Sequence, residues 1–476
     1  MALITMYGET MLLPAIPDLV NEFRIPYNTS SWILTAYLIT GAVMTPIVGK
    51  LSDIHGKKKV LIVIMVVYSI GTLLGGLSTN IVLMVISRII QGIGIAMFPV
   101  AFGIIREKFP EDKLAIGQGI FTAVFAGGSV VGLGLGATVI ENYGWRMTFL
   151  SILPFACVLL YIIIKYIHVR GETLSTSGIE NGVDVKGTLT LIFMVSSFLV
   201  GLTLLPNIVT TTDVATDSKN ATINSNIDNL MLTISLFALS AALLPLFIAI
   251  QKKAKSPLVN LQLLKDVILL PTNVLIMTIG ISIFIIYQSI PILIQSPSPL
   301  GFGGGPVNAA MVQLPFMILT LIISVSSGFL ISKIGNIRPT LVGSIISTVG
   351  FFLLFMYHST EIVIALNLSI IAIGLSFAEI GAFNIALVSA PLHLSGTALG
   401  ITMLLFLIGM SIGPAISGIY LESFQSSVKG IIGMFPSALA YNMIFLTAAM
   451  ISLSSILLTL VVARKNRYKI SQQNQY

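Results

Sequence analysis

The 476 residues include 55% hydrophobic side chains and only 9% charged ones, with a mean hydropathy of +1.00, whereas soluble domains use roughly 25% charged residues. That composition excludes a soluble enzyme or binding module. The formal charge of +7 is no nucleic-acid footprint either, because the basic residues are distributed between long apolar stretches.

A membrane-crossing helix needs about 20 mostly apolar residues. In chain order, fourteen such spans are read at about 1–19, 31–51, 59–78, 80–104, 114–140, 147–167, 187–206, 229–250, 268–294, 306–331, 338–357, 361–386, 396–421 and 435–462. Apolar runs of this length must be helical, since only a helix satisfies its own backbone hydrogen bonds in lipid without a neighbouring strand. The expected fold class is therefore an all-α polytopic membrane protein.

Twenty of the 25 Lys and Arg residues follow even-numbered spans; the others are Arg24, Arg146, Lys219, Lys429 and, inside a span, Arg88. The positive-inside rule places both termini and the loop "GKLSDIHGKKK" (49–59) in the cytoplasm of a multi-pass cell-membrane protein. Trp32 and Trp145 fall at outer span ends, where indole favours the headgroup region. Cys157 is the only cysteine, so no intrachain disulfide is expected. No charged region precedes the first span, and no cleavable signal peptide is expected.

Polar stretches at 169–186 and 207–228 bracket the seventh and eighth spans. Across them the text repeats: "GKLSDIHG" from Gly49 recurs as "GFLISKIG" from Gly328, and "GSVVGLGLGA" from Gly128 recurs as "GMSIGPAISG" from Gly409. The chain divides into an N-terminal six-helix bundle (1–168), a linker with two extra spans (169–267), and a C-terminal six-helix bundle with a cytoplasmic tail (268–476). Parallel repeats of this kind place a substrate site between the halves.

Ionisable residues within spans cost about 2.5–3.5 kcal/mol at the membrane centre and default to functional roles. They are Glu9, Arg88 and Glu379, read together as a proton-coupling set. A buried carboxylate's proton affinity depends on solvent access and neighbouring charge, whereas an arginine keeps its proton. Gln91 shares the Arg88 face; with Gln313 and Asn384 it is assigned to the substrate cavity. Gly128, Gly132 and Gly136, and in the second copy Gly409, Gly413, Pro414 and Gly418, are read as close-packing positions. "GLGLG" and "GMSIG" lie inside helical spans, where neither a dinucleotide loop nor a nucleophile elbow forms. The four histidines lie in loops or at span ends, and no enzyme chemistry, cofactor or metal is expected.

In these motifs the chain resembles the major facilitator superfamily, and within it the fourteen-span drug:proton antiporters. "GKLSDIHGKKK", "RIIQGIGIAMFP" from Arg88, "GSVVGLGLGATVIENYGWRMTF" from Gly128 and "GETMLLPAIPDLV" from Gly8 resemble, in order, its second-to-third-span signature, fourth-span, antiporter and acidic first-span motifs. Ile54, Leu133 and Glu9 stand where a basic residue, a proline and an aspartate are commoner. The resemblance implies two six-helix bundles plus two extra spans, small-molecule and proton partners, no nucleic acid, and monomeric action in the bilayer. It also implies gating by Gly49, Asp53, Gly56, Lys57 and Arg106. The expected function is proton-coupled export of small organic, drug-like compounds by alternating access. An uptake permease or facilitator of the same fold is the alternative, and a polytopic sensor or structural subunit is the alternative from another class.

Overall fold

The computed structural model describes residues 1–12, 15–25, 27–110, 113–166, 184–209, 219–254, 257, 261–390, 395–429 and 434–473. Helices α1 (Ala2–Thr10), α2 (Ile16–Phe23), α3 (Tyr27–His55), α4 (Lys57–Gly76), α5 (Ile81–Gly92), α6 (Met97–Lys108), α7 (Leu114–Tyr143) and α8 (Trp145–Tyr166) come first. Then follow α9 (Val185–Val209), α10 (Lys219–Lys253), α11 (Leu261–Lys265), α12 (Leu269–Gln295), α13 (Pro306–Ile334), α14 (Ile337–Met356), α15 (Glu361–Ser389), α16 (Ser395–Ser423) and α17 (Ala438–Gln473). A short antiparallel hairpin, β1 (Gln425–Ser427) and β2 (Met434–Pro436), pairs Ser426 with Phe435 between α16 and α17.

Thirteen stretches among the described residues are long and apolar enough to cross a membrane. The first expected span, 1–19, is not one of them. It is divided between α1 and α2, and the sequence explains the break: Pro14 and Pro17 lack amide protons and would clash with carbonyls one turn earlier. A second departure falls in the fourth span, where α5 and α6 are separated by a 3-10 turn at Ile93–Ala96. Pro99 removes the amide that Ile95 would otherwise bond, so the turn tightens there.

Helix starts follow local chemistry. Asn80 caps α5 by accepting from the Leu83 amide at 2.9 Å, and Thr360 caps α15 through Val363 with Glu361 in the first turn, as orphan amides and the helix dipole favour. Gly56 turns the chain from α3 into α4 at φ 89°, a conformation that side chains with a Cβ rarely adopt.

Helices α3, α12 and α16 are mostly buried, while α10 is only 11% buried over its apolar window. The first three therefore form the centre and α10 faces lipid, packing on α9, which rests against α3 and α16. Close packing recurs in parallel. On α7, Gly128 abuts the Leu3 backbone of α1 and Gly132 abuts that of Tyr7; on α16, Gly409 abuts Met277 and Gly413 abuts Ile281 of α12. Leu3 and Tyr7 are one helical turn apart, as are Met277 and Ile281, so the same pair of helices meets in the same way twice. Between the two groups, α3 packs on α16 and α7 on α13.

Candidate functional site

Arg88 has no solvent exposure. Its Nε donates to the Ile33 carbonyl at 2.9 Å, and Nη1 donates to the Gly8 carbonyl at 3.2 Å and to Gln91 Oε1 at 2.9 Å. The guanidinium also lies 4.5 Å from the centre of the Tyr37 ring. Gln91 passes the chain on, donating to Thr72 Oγ1 at 2.8 Å, and Tyr68 and Tyr37 donate to the carbonyls of Ile4 and Thr5. One cation thus ties α1, α3, α4 and α5 together, with its Nη2 unpartnered among the described residues. Arg88 and Gln91 are three apart on one helix face, which is what lets α5 hold this arrangement.

Glu9 is 4% exposed and sits one residue from the carbonyl that Arg88 grips. Its helix is held against α7 where Gly132 faces Tyr7 and Thr10 and where a side chain at Gly136 would come within 2.8 Å of Met11. A cavity opens beside it, lined by Glu9, Thr10 and Leu34 from one side and by Phe284, Tyr287, Gln288 and Pro414 from the other. Tyr287 packs edge-on against Phe316 and next to Phe284, its hydroxyl faces Ser129 of α7, and it lies within electrostatic reach of both Glu9 and Glu379. Glu379, on α15, is partly buried. Lys57–Glu107 and Arg146–Glu22 form ion pairs, and neither includes Glu9 or Glu379.

At the opposite ends of these helices, Arg106 of α6 donates to the carbonyls of Leu387 and Ala390 at 3.0 and 3.1 Å, which closes α6 onto the end of α15. Lys57 pairs with Glu107 and packs against Gly103. The Gly49 carbonyl accepts from Ser52 at 2.8 Å, while Gly56 makes the turn described above. The side chain of Asp53 lies outside the described residues.

Of the three amides assigned to the cavity, none lines it. Gln91 is committed to Arg88 and Thr72. Gln313 is 1% exposed, with Nε2 at 3.5 Å from the Ile286 carbonyl, and Asn384 donates to Asn336 Oδ1 at 2.7 Å. Pro414 does line it; Gly418 is partly buried on α16. Thr10, Leu34, Phe284, Tyr287 and Gln288 are the lining residues that sequence reasoning missed, although for Tyr287 and Gln288 adjacent polar side chains inside "IFIIYQSIPIL" are a signal of the right kind.

Towards the other face, Trp145 is buried within the protein at the start of α8, donating from Nε1 to Glu22 at 2.6 Å. Arg146 donates to the same carboxylate at 2.6 Å and stacks on the indole. The Arg146 hydrogen bond holds the Glu22 carboxyl below its ordinary value, with Trp145 adding to the effect.

A family model described as the Major Facilitator Superfamily matches residues 1–414. Multidrug resistance protein 3 of Bacillus subtilis (strain 168) is 25% identical over 450 residues, covering 92% of this chain and 82% of that protein. Multidrug resistance protein Stp of Mycobacterium tuberculosis (strain CDC 1551 / Oshkosh) is 24% identical over 416 residues, 87% of this chain and 72% of its own length. Among solved structures, the human organic anion transporter MFSD10 (TETRAN) aligns with a TM-score of 0.66 at 13% identity, covering 96% of each chain, a likeness of fold.

Proposed function

This chain belongs to the major facilitator superfamily, and on that premise we propose that it is a secondary active transporter that exports small organic, drug-like compounds in exchange for protons. The names of its relatives as multidrug resistance proteins support the substrate class. The observation that carries the proton half is Glu9: a buried carboxylate facing a cavity lined from both groups of helices, beside a cation that cannot give up its own proton.

In this reading the two groups rock about the cavity. Arg106 holds α6 to α15 and closes one end; loading from the cytoplasm requires that latch to release. Glu9 carries the proton, Arg88 is the fixed charge against which its proton affinity is set, and Glu379 contacts substrate or binds a second proton. Gly49, Asp53, Gly56 and Lys57 shape the gating loop, both termini are cytoplasmic, and the monomer is the working unit. Transport of a compound panel into everted vesicles under an imposed pH gradient tests this directly. Accumulation that follows the gradient and collapses with a protonophore is expected; uptake indifferent to the gradient would instead indicate a facilitator.

A further inference from the structure

Six phenylalanines from four helices meet between Glu379 and the Arg106 latch. Phe98 of α6 lies 5.2 Å from Phe121 and 4.9 Å from Phe125 of α7, centroid to centroid, and Phe102 lies 5.2 Å from Phe121. Phe383 of α15 reaches Phe102 at 5.8 Å and Phe406 of α16 at 5.5 Å. Glu379, Phe383 and Leu387 follow one another at single-turn spacing on one face of α15, and it is the Leu387 carbonyl that Arg106 holds. The rings therefore fill the route from the latch to the acid.

A second, independent observation falls on the same surface. Gln118 precedes Phe121 and Phe125 by three and seven residues, which places it on their face of α7. It is 1% exposed, and neither its Nε2 nor its Oε1 has a hydrogen-bond partner among the described residues. An amide buried without partners is destabilising, so its position calls for a state in which something satisfies it. When α6 and α15 part, Phe102 and Phe383 lose each other, and an aromatic group is the natural replacement for either ring.

We infer that this cluster is a substrate subsite, in which the phenylalanines take a planar aromatic group and Gln118 takes a carboxamide-like donor–acceptor edge, and that in the conformation described here it is closed upon itself. The inference rests on the transporter reading and names the substrate chemistry at its cytoplasmic loading step.

Photolabelling tests it, using the full-length protein in lipid nanodiscs with 4-benzoylbenzamide as probe and benzophenone, which lacks the amide, as its partner. The carboxamide probe should crosslink peptides of α6, α7 and α15, and more strongly after Arg106→Ala, which releases the latch. Gln118→Leu should lower its labelling by about fivefold, the size of one hydrogen bond, and leave benzophenone labelling unchanged, which also shows that the variant is folded. Gln118→Met, with a straighter chain, should repeat that selective loss, and Phe102→Ala should lower labelling by both probes. Equal labelling by the two probes in every variant, equal loss of both on changing Gln118, or crosslinks confined to α1 and α12 would overturn the inference. Labelling needs neither gradient nor turnover, so failure of proton-driven export and failure of this subsite are separate results.

Discussion

The Nη1 of Arg88 donates to the carbonyl oxygen of Gly8 at 3.2 Å, which fixes a permanent cation one residue from Glu9. Because the bond is to backbone, it persists whether or not the neighbouring carboxylate carries a proton. The cation is structural scaffolding, and in the proposed mechanism it is also the electrostatic reference for Glu9.

Arg88→Lys separates those roles. Lysine keeps the charge but cannot reproduce a planar fork that reaches the Ile33 carbonyl, the Gly8 carbonyl and Gln91 together. Losing charged hydrogen bonds in a buried network should cost about 2 kcal/mol, read as a lower unfolding temperature in detergent, with proton-driven transport reduced at least about tenfold by the 1.4 kcal/mol-per-decade relation. Unchanged stability and transport would mean that charge alone suffices.

Arg106→Ala should shift the conformational equilibrium. Its donors hold the Leu387 and Ala390 carbonyls at 3.0 and 3.1 Å, and losing both should cost the closed state about 1–2 kcal/mol. Spin labels at the ends of α6 and α15 should then report a larger long-distance population. An identical distance distribution would show that closure is held elsewhere.

The glycines of α7 should not be equivalent. A methyl at Gly132 would come within 2.8 Å of the Tyr7 carbonyl, while one at Gly134 meets nothing within 4 Å among the described residues. Gly132→Ala should destabilise by about 1–3 kcal/mol, as overpacking does, and Gly134→Ala should be neutral or slightly stabilising through its helix propensity. Thermal unfolding followed by size-exclusion checks this; equal effects would remove close α1–α7 packing as the reason for the motif.

The outer cluster predicts an acid-sensitive contact. The Glu22 carboxyl is held below its ordinary value by Arg146 and Trp145, so its stabilising effect is present above the unfolded-state value, near pH 4.3 for a glutamate. That effect is lost as pH falls through the lower folded value. Trp145 emission should change over that acidic window in the wild type and stay flat in Glu22→Gln. A pH response surviving the substitution would assign it to another group.

Most of the fold was legible because lipid leaves few options: apart from the divided first span, apolar runs became helices whose ends agree with the expected spans within a few residues, except at the long polar start of α10 and the long polar end of α17. The two breaks were legible in principle, since Pro14, Pro17 and Pro99 stand in the text, but hydropathy averages over them. Glu9 and Arg88 stood out because charge inside an apolar run is costly. Tyr287 and Gln288 did not, since uncharged polar residues carry no such penalty. Spacing puts Gln91 on the Arg88 face, and that closeness makes it Arg88's hydrogen-bond acceptor rather than a lining residue of the cavity beside Glu9. The phenylalanine cluster was invisible, because rings on four helices look in sequence like any lipid-facing residues until packing brings them together.

The central claim is that Glu9 is the proton carrier, and Glu9→Gln reconstituted in proteoliposomes is its most direct measurement, with substrate efflux and proton movement recorded together under an imposed pH gradient. The amide keeps the shape beside Arg88 and removes the titrating group. The account predicts that gradient-driven export and the accompanying proton flux both disappear while the variant still binds substrate; full proton-coupled export by Glu9→Gln would contradict it.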